Sequence, residues 1–189
     1  MKEKIRKLFT NVWNVPNALT ILRLILVPVF VILFQRGEKM AALAVFCVAC
    51  VTDALDGFLA RKLNQITDFG KLFDPLADKL MVVSALICQG AAGVLPWPAI
   101  LLVLGKELYM IAGGAFMLSR GVVVSANYFG KSATVCFMAG LILSFFHPEF
   151  EAWSVQPDVI LIWVSAALAV LAAAVYTAGA WKQLKKKEA

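Results

Sequence analysis

Between Asp53 and Asp78 the chain reads D-A-L-D-G-F-L-A-R-K-L-N-Q-I-T-D-F-G-K-L-F-D-P-L-A-D. Asp53, Asp56, Asp74 and Asp78 stand here among segments otherwise apolar enough to span a membrane. Ionised side chains at membrane depth are costly, so such a cluster marks a functional site by default. Acids that converge without matching bases need something positive between them, and a divalent metal bound by oxygen is the simplest candidate. Arg61 adds a guanidinium whose fork matches phosphate oxygens, although it equally suits a cytoplasmic anchor. Metal beside arginine is equipment for neutralising a diphosphate during displacement. Gly57, Ala60, Gly70 and Ala77 let helix backbones approach closely, and Gly57 also admits a flat ligand.

The elements that position these residues are helices in a bilayer. The chain has 189 residues, 61% hydrophobic and 16% charged, which is too apolar and too poor in charge for an ordinary soluble domain. Apolar stretches cover about 17–34, 41–60, 71–90, 95–118, 131–146 and 157–180. Each approaches the roughly 20 residues a spanning helix needs, and none alternates as a barrel strand does. The expected fold is therefore an all-α integral membrane protein, a bundle of six transmembrane helices forming a single domain over 1–189. Lys2 to Trp13 spaces Ile5, Leu8, Phe9, Val12 and Trp13 as an amphipathic helix lying in the interface, within a juxtamembrane segment 1–15. Residues 182–189 form a basic tail.

The net charge of +6 gathers at the two ends and in alternate loops. Inner loops hold Arg61 and Lys62, then Arg120 and Lys131, whereas the outer loops hold Arg36 and Lys39, then no Lys or Arg around 91–97, then only Glu149, Glu151 and Asp158. This pattern places both termini and the acids on the cytoplasmic side. The basic ends suit anionic lipid rather than nucleic acid, because no recognition element accompanies them. Cys47, Cys50, Cys88 and Cys136 lie inside apolar spans with no histidine nearby, and they read as small core residues rather than zinc or redox ligands. The lone histidine, His147, falls on the opposite side of the membrane from the acids.

Asp53 and Asp56 are three residues apart and Asp74 and Asp78 four, so each pair shares a helix face. Asp53 precedes Arg61 by eight residues and Asp78 follows Gly70 by eight, which sets both about 12 Å inside their helix ends. An antiparallel pair of helices then gathers all four acids in one shallow cytoplasmic cavity.

The pattern D-x-x-D-G-x-x-A-R-x8-G-x3-D-x3-D, complete from Asp53 to Asp78, resembles the signature of the CDP-alcohol phosphotransferase family. The resemblance implies displacement of CMP from a CDP-linked lipid by a hydroxyl group. It implies that Asp53, Asp56, Asp74 and Asp78 hold two divalent ions, magnesium or manganese, and that Asp78 is the general base. Gly57, Ala60, Arg61 and Gly70 would border the CDP moiety. The opening N-V-P-N-A-L-T-I-L-R, Asn14 to Arg23, resembles the first span of the phosphatidylglycerophosphate and cardiolipin synthase branches. Asn17, Thr20 and Arg23 could face the site at three-residue spacing, with Asn17 a further CDP contact or merely a helix cap. Lys106, Arg120 and Lys131 are candidate ligands of an acceptor phosphate, Lys106 alternatively pairing with Glu107.

The expected substrates are thus CDP-diacylglycerol and glycerol 3-phosphate, with phosphatidylglycerol the alternative acceptor. A homodimer in a bacterial cytoplasmic membrane is the family expectation. A divalent-cation transporter would also gather acids, but such sites prefer the bilayer midplane and repeat-related helices. A catalytically dead scaffold is the third class, and the intact motif argues against it.

Overall fold

Asn14 starts the first helix: its side chain accepts a hydrogen bond of 2.9 Å from the Asn17 amide, satisfying one of the donors a helix start leaves open. Pro16 sits in the first turn, where its missing N–H costs nothing. The computed structural model describes residues 14–62, 68–121, 128–150, 152–153 and 155–188, with side chains left undescribed at 15–16, 57–62, 68–69, 71–72 and 184–188. The expected interfacial helix at Lys2–Trp13 lies outside the described residues.

All regular structure among the described residues is helical: α1 Val15–Gln35, α2 Lys39–Lys62, α3 Asp68–Ala91, α4 Trp97–Ser119, α5 Tyr128–Leu143, a 3-10 turn Ser144–Phe146, α6 His147–Phe150 and α7 Pro157–Glu188. Gly37 and Gly93 take positive φ (80° and 74°) just beyond α1 and α3. Only glycine adopts that conformation cheaply, and it reverses the chain in few residues. The fifth apolar stretch, expected at 131–146, is longer than its hydropathy suggests. A 3-10 turn joins α5 to α6, so the apolar helical run is Tyr128–Phe150. The lysines expected as a tail continue α7 to Glu188.

Among the described residues, four helical runs are long and apolar enough to cross a membrane: Asn17–Gln35, Trp97–Ser119, Tyr128–Phe150 and Pro157–Gln183. The acid-bearing helices α2 and α3 are not among them. Large apolar side chains face outward along these runs, Leu108 and Val135 each being 69% exposed. An exterior of that kind suits lipid rather than water.

The chain divides into two compact units, Met1–Cys88 and Gln89–Ala189. In the first, α1 packs along α2, and Phe30 meets Phe46 with ring centroids 6.2 Å apart. Alanines at 42, 49, 77 and 85 are fully or almost fully buried, keeping backbones close. In the second unit, α7 packs along α5 and α4. A Cβ on Gly140 would stand 3.1 Å from side-chain atoms of Ile162 and Leu161, so any larger residue would push these neighbours aside at the α5–α7 approach. The four cysteines are free and half-buried. They are less enclosed than the small core residues expected from their apolar setting.

Candidate active site

The first unit assembles the acids around α1. Thr20 and Arg23, three residues apart on one face of α1, are both buried. The Thr20 hydroxyl donates to Asp74 Oδ1 on α3. Arg23 Nη2 donates to Asp56 Oδ2 on α2, while Nη1 lies 2.9 Å from Asp53 Oδ1 in an ion pair not aligned as a hydrogen bond. Asp56 feels the charges of both Asp53 and Asp74. Cys50, one turn before Asp53, lies within electrostatic reach of Asp53 and Asp78. Asp53, Asp56 and Asp74 thus lie within electrostatic reach of one another through Asp56, and Asp78 lies within reach of Cys50 on the adjacent helix.

One expectation is overturned. The acids do have a matching base: Arg23, which the motif does not contain, stands between Asp53 and Asp56. Its place in the first apolar stretch was the available signal, since an arginine there is costly unless partnered. Asn17 is buried and does not cap its helix, because Asn14 does so. Gly70 is buried near the start of α3. Gly57, Ala60 and Arg61 occupy the last turns of α2, and their side chains lie outside the described residues.

Exposure differs sharply among the acids. The Asp56 side chain is 3% exposed and that of Asp53 44%; Asp74 is half-buried and Asp78 exposed. Pro75, directly after Asp74, removes one backbone donor inside α3, freeing a carbonyl in the preceding turn.

The candidate acceptor ligands lie in the second unit. Lys106 Nζ is 2.5 Å from Glu107 Oε1, with the lysine side chain 13% exposed. Arg120 caps the end of α4, exposed, with its guanidinium 5.3 Å from the Phe116 ring centre. Lys131 is exposed in the first turn of α5. Lys106 and Arg120 are fourteen residues apart on one helix, about 21 Å along its axis. They do not close on one phosphate. Arg120 and Lys131 instead end the two helices that flank 121–127. His147, with no carboxylate of the motif near it in its own unit, pairs through Nδ1 with Asp158 Oδ2 at 2.6 Å.

The family model for CDP-alcohol phosphatidyltransferase matches residues 13–173. The chain belongs to that family. Among curated relatives, a CDP-diacylglycerol–glycerol-3-phosphate 3-phosphatidyltransferase of Bacillus subtilis is 31% identical over 189 residues, 92% of this chain and 98% of the relative. The enzyme of that name from Escherichia coli K12 is 35% identical, covering 82% and 88%. A probable phosphatidylglycerophosphate synthase of Mycobacterium tuberculosis is 42% identical over 127 residues, and there the match spans 64% of this chain and 60% of the relative.

For a CDP-alcohol phosphatidyltransferase the donor set is right in kind. Carboxylate oxygens suit a hard divalent cation such as magnesium or manganese better than a soft one. As they stand, no three such side chains among the described residues close on a single point. Two carboxylates spend one oxygen each on Arg23, and each keeps a second.

Proposed function

We propose that this phosphatidyltransferase transfers the phosphatidyl group of CDP-diacylglycerol to glycerol 3-phosphate, giving phosphatidylglycerophosphate and CMP. The observation that carries this reading is the complete D-x-x-D-G-x-x-A-R-x8-G-x3-D-x3-D motif, with Asp74 and Asp56 both tied to α1. Relatives bearing that enzyme name align over most of their length.

In this reading Asp53, Asp56, Asp74 and Asp78 bind two magnesium or manganese ions through their remaining oxygens. Metal held by these carboxylates would supply positive charge to offset that of the diphosphate. Asp78, exposed on α3, takes the proton of the acceptor hydroxyl. The hydroxyl oxygen bonds to the phosphorus of the phosphatidyl group, and the bond from that phosphorus to the CMP oxygen breaks. Asn17, Gly57, Ala60, Arg61 and Gly70 border the CDP moiety. Arg120 and Lys131 bind the acceptor phosphate as charges on either side of residues 121–127, and Lys106 acts through Glu107 rather than on the same phosphate.

The membrane arrangement is six spans, α2 and α3 included, with both ends and the acids cytoplasmic. The charge asymmetry of the loops supports it. A homodimer is the expected assembly, and light scattering in detergent tests it.

The deciding experiment supplies purified protein with labelled CDP-diacylglycerol and one acceptor at a time. CMP release with glycerol 3-phosphate supports the reading. Release with phosphatidylglycerol alone replaces it with a cardiolipin synthase.

A further inference from the structure

Arg23 is the largest fully buried side chain of its unit, 1% exposed, yet it carries a full charge in the middle of an apolar helix. Its partners are two carboxylates of the motif. Hydrogen bonding accounts for only part of its position: Nη2 donates to Asp56, whereas Nε and Nη1 make no aligned hydrogen bond among the described residues, although a guanidinium offers five donors. What Arg23 satisfies is charge. It sits at full burial, while Asp53 is 44% exposed and Asp78 is open to the outside. Asp53 and Asp78 are thus reachable from outside, whereas the cation and Asp56 are not.

Resting on the reading of the four acids as metal ligands, we infer that Arg23 is the resident counter-cation of the carboxylate site. It stabilises Asp53 and Asp56 when no metal is bound, competes with divalent ions for them, and makes the loaded site net positive. Four carboxylates against one guanidinium leave the site three charges negative. Two divalent ions then bring it to one positive charge, the sign that attracts a diphosphate. Without Arg23 the same ions only reach neutrality. Arg23 therefore acts on the substrate through the acids and the ions, as a positioning charge rather than a catalytic residue.

The test is Mn2+ binding to the full-length protein without substrate, followed by the electron paramagnetic resonance signal of free Mn2+. Arg23→Gln is expected to bind Mn2+ about tenfold more tightly than the parent, because a unit charge beside a divalent ion has been removed. Its KM for CDP-diacylglycerol rises at saturating metal. Arg23→Lys keeps the charge and stays within about threefold of the parent on both measures. Arg23→Gln is purified in magnesium, which supplies the missing positive charge. If that variant still does not fold, Arg23→Lys alone decides, and a tenfold change there overturns the role. Arg23→Gln binding Mn2+ no more tightly than the parent also overturns it. If the parent protein takes up no Mn2+, the metal reading itself falls and the counter-cation falls with it; if the parent binds and only the Arg23 prediction fails, the metal reading stands.

Discussion

Thr20→Val is the most informative single change at the acids. Valine keeps the shape of threonine and exchanges the hydroxyl for a methyl group, so the buried pocket on α1 stays filled. What disappears is the hydrogen bond to Asp74 Oδ1. A bond to a charged acceptor contributes about 1.5–3 kcal/mol. Asp74 is half-buried, so water recovers part of the loss and the lower end, about 1.5 kcal/mol, applies. The stability change is therefore modest. The carboxylate, however, is no longer held, and losing the partner that orients a metal ligand weakens metal affinity about tenfold or more. The assay is CMP release against Mn2+ concentration. Half-maximal activation should move up about tenfold, while the rate at saturating metal recovers to within about threefold of the parent. Thr20→Ser restores the hydroxyl and should restore the curve. A Thr20→Val enzyme with the parent's metal dependence, or a Thr20→Ser enzyme as impaired as Thr20→Val, refutes the orienting role.

Asp78→Asn should lower CMP release by about 10²–10⁴-fold and still bind Mn2+; near-parental turnover removes Asp78 from the base role. Arg120→Gln should raise KM for glycerol 3-phosphate more than it lowers kcat, since it loses an interaction made equally in ground and transition states. Steady-state kinetics in mixed micelles reads the split, and an unchanged KM discards Arg120 as a phosphate ligand. Gly140→Val should destabilise the second unit by about 1–3 kcal/mol through overpacking against Ile162 and Leu161. The melting temperature in detergent measures it, and a melt equal to that of the parent would show that α5 and α7 can separate there at no cost.

The helices were legible in the sequence because the bilayer imposes a length and because some ends carry a local signal. Asn14 and Pro16 mark the start of α1, and Gly37 and Gly93 mark turns. The joining of α5 to α6 was not legible, since a 3-10 turn at Ser144–Phe146 leaves no hydropathy signal. Within the site, the spacing of the acids fixed their helix faces, and the three-residue step from Thr20 to Arg23 put both on the face that meets them. The pairing of Arg23 with Asp53 and Asp56 depends on how α1 packs against α2, separated by some thirty residues in sequence, and local pattern carries no such information. The spacing of the acceptor candidates was not legible for a related reason. Three cations along a chain do not say which of them share a level, and fourteen residues of helix separate Lys106 from Arg120. The pairing of Lys106 with Glu107 needed no tertiary information and was readable from adjacency.

The His147–Asp158 contact spans only eleven residues of chain and joins the end of the α5–α6 run to the first turn of α7. The aspartate is fully buried and sits where the helix dipole favours a negative charge. Closing so short a loop costs little chain entropy. The consequence concerns biogenesis: α5 and α7 can leave the insertion machinery as a ready-made helical hairpin, latched by His147 and seated on Gly140, before α4 docks. Cysteine pairs placed across that hairpin should cross-link in chains arrested just after α7 emerges. Within its unit the later helices are then complete before the earlier one has docked.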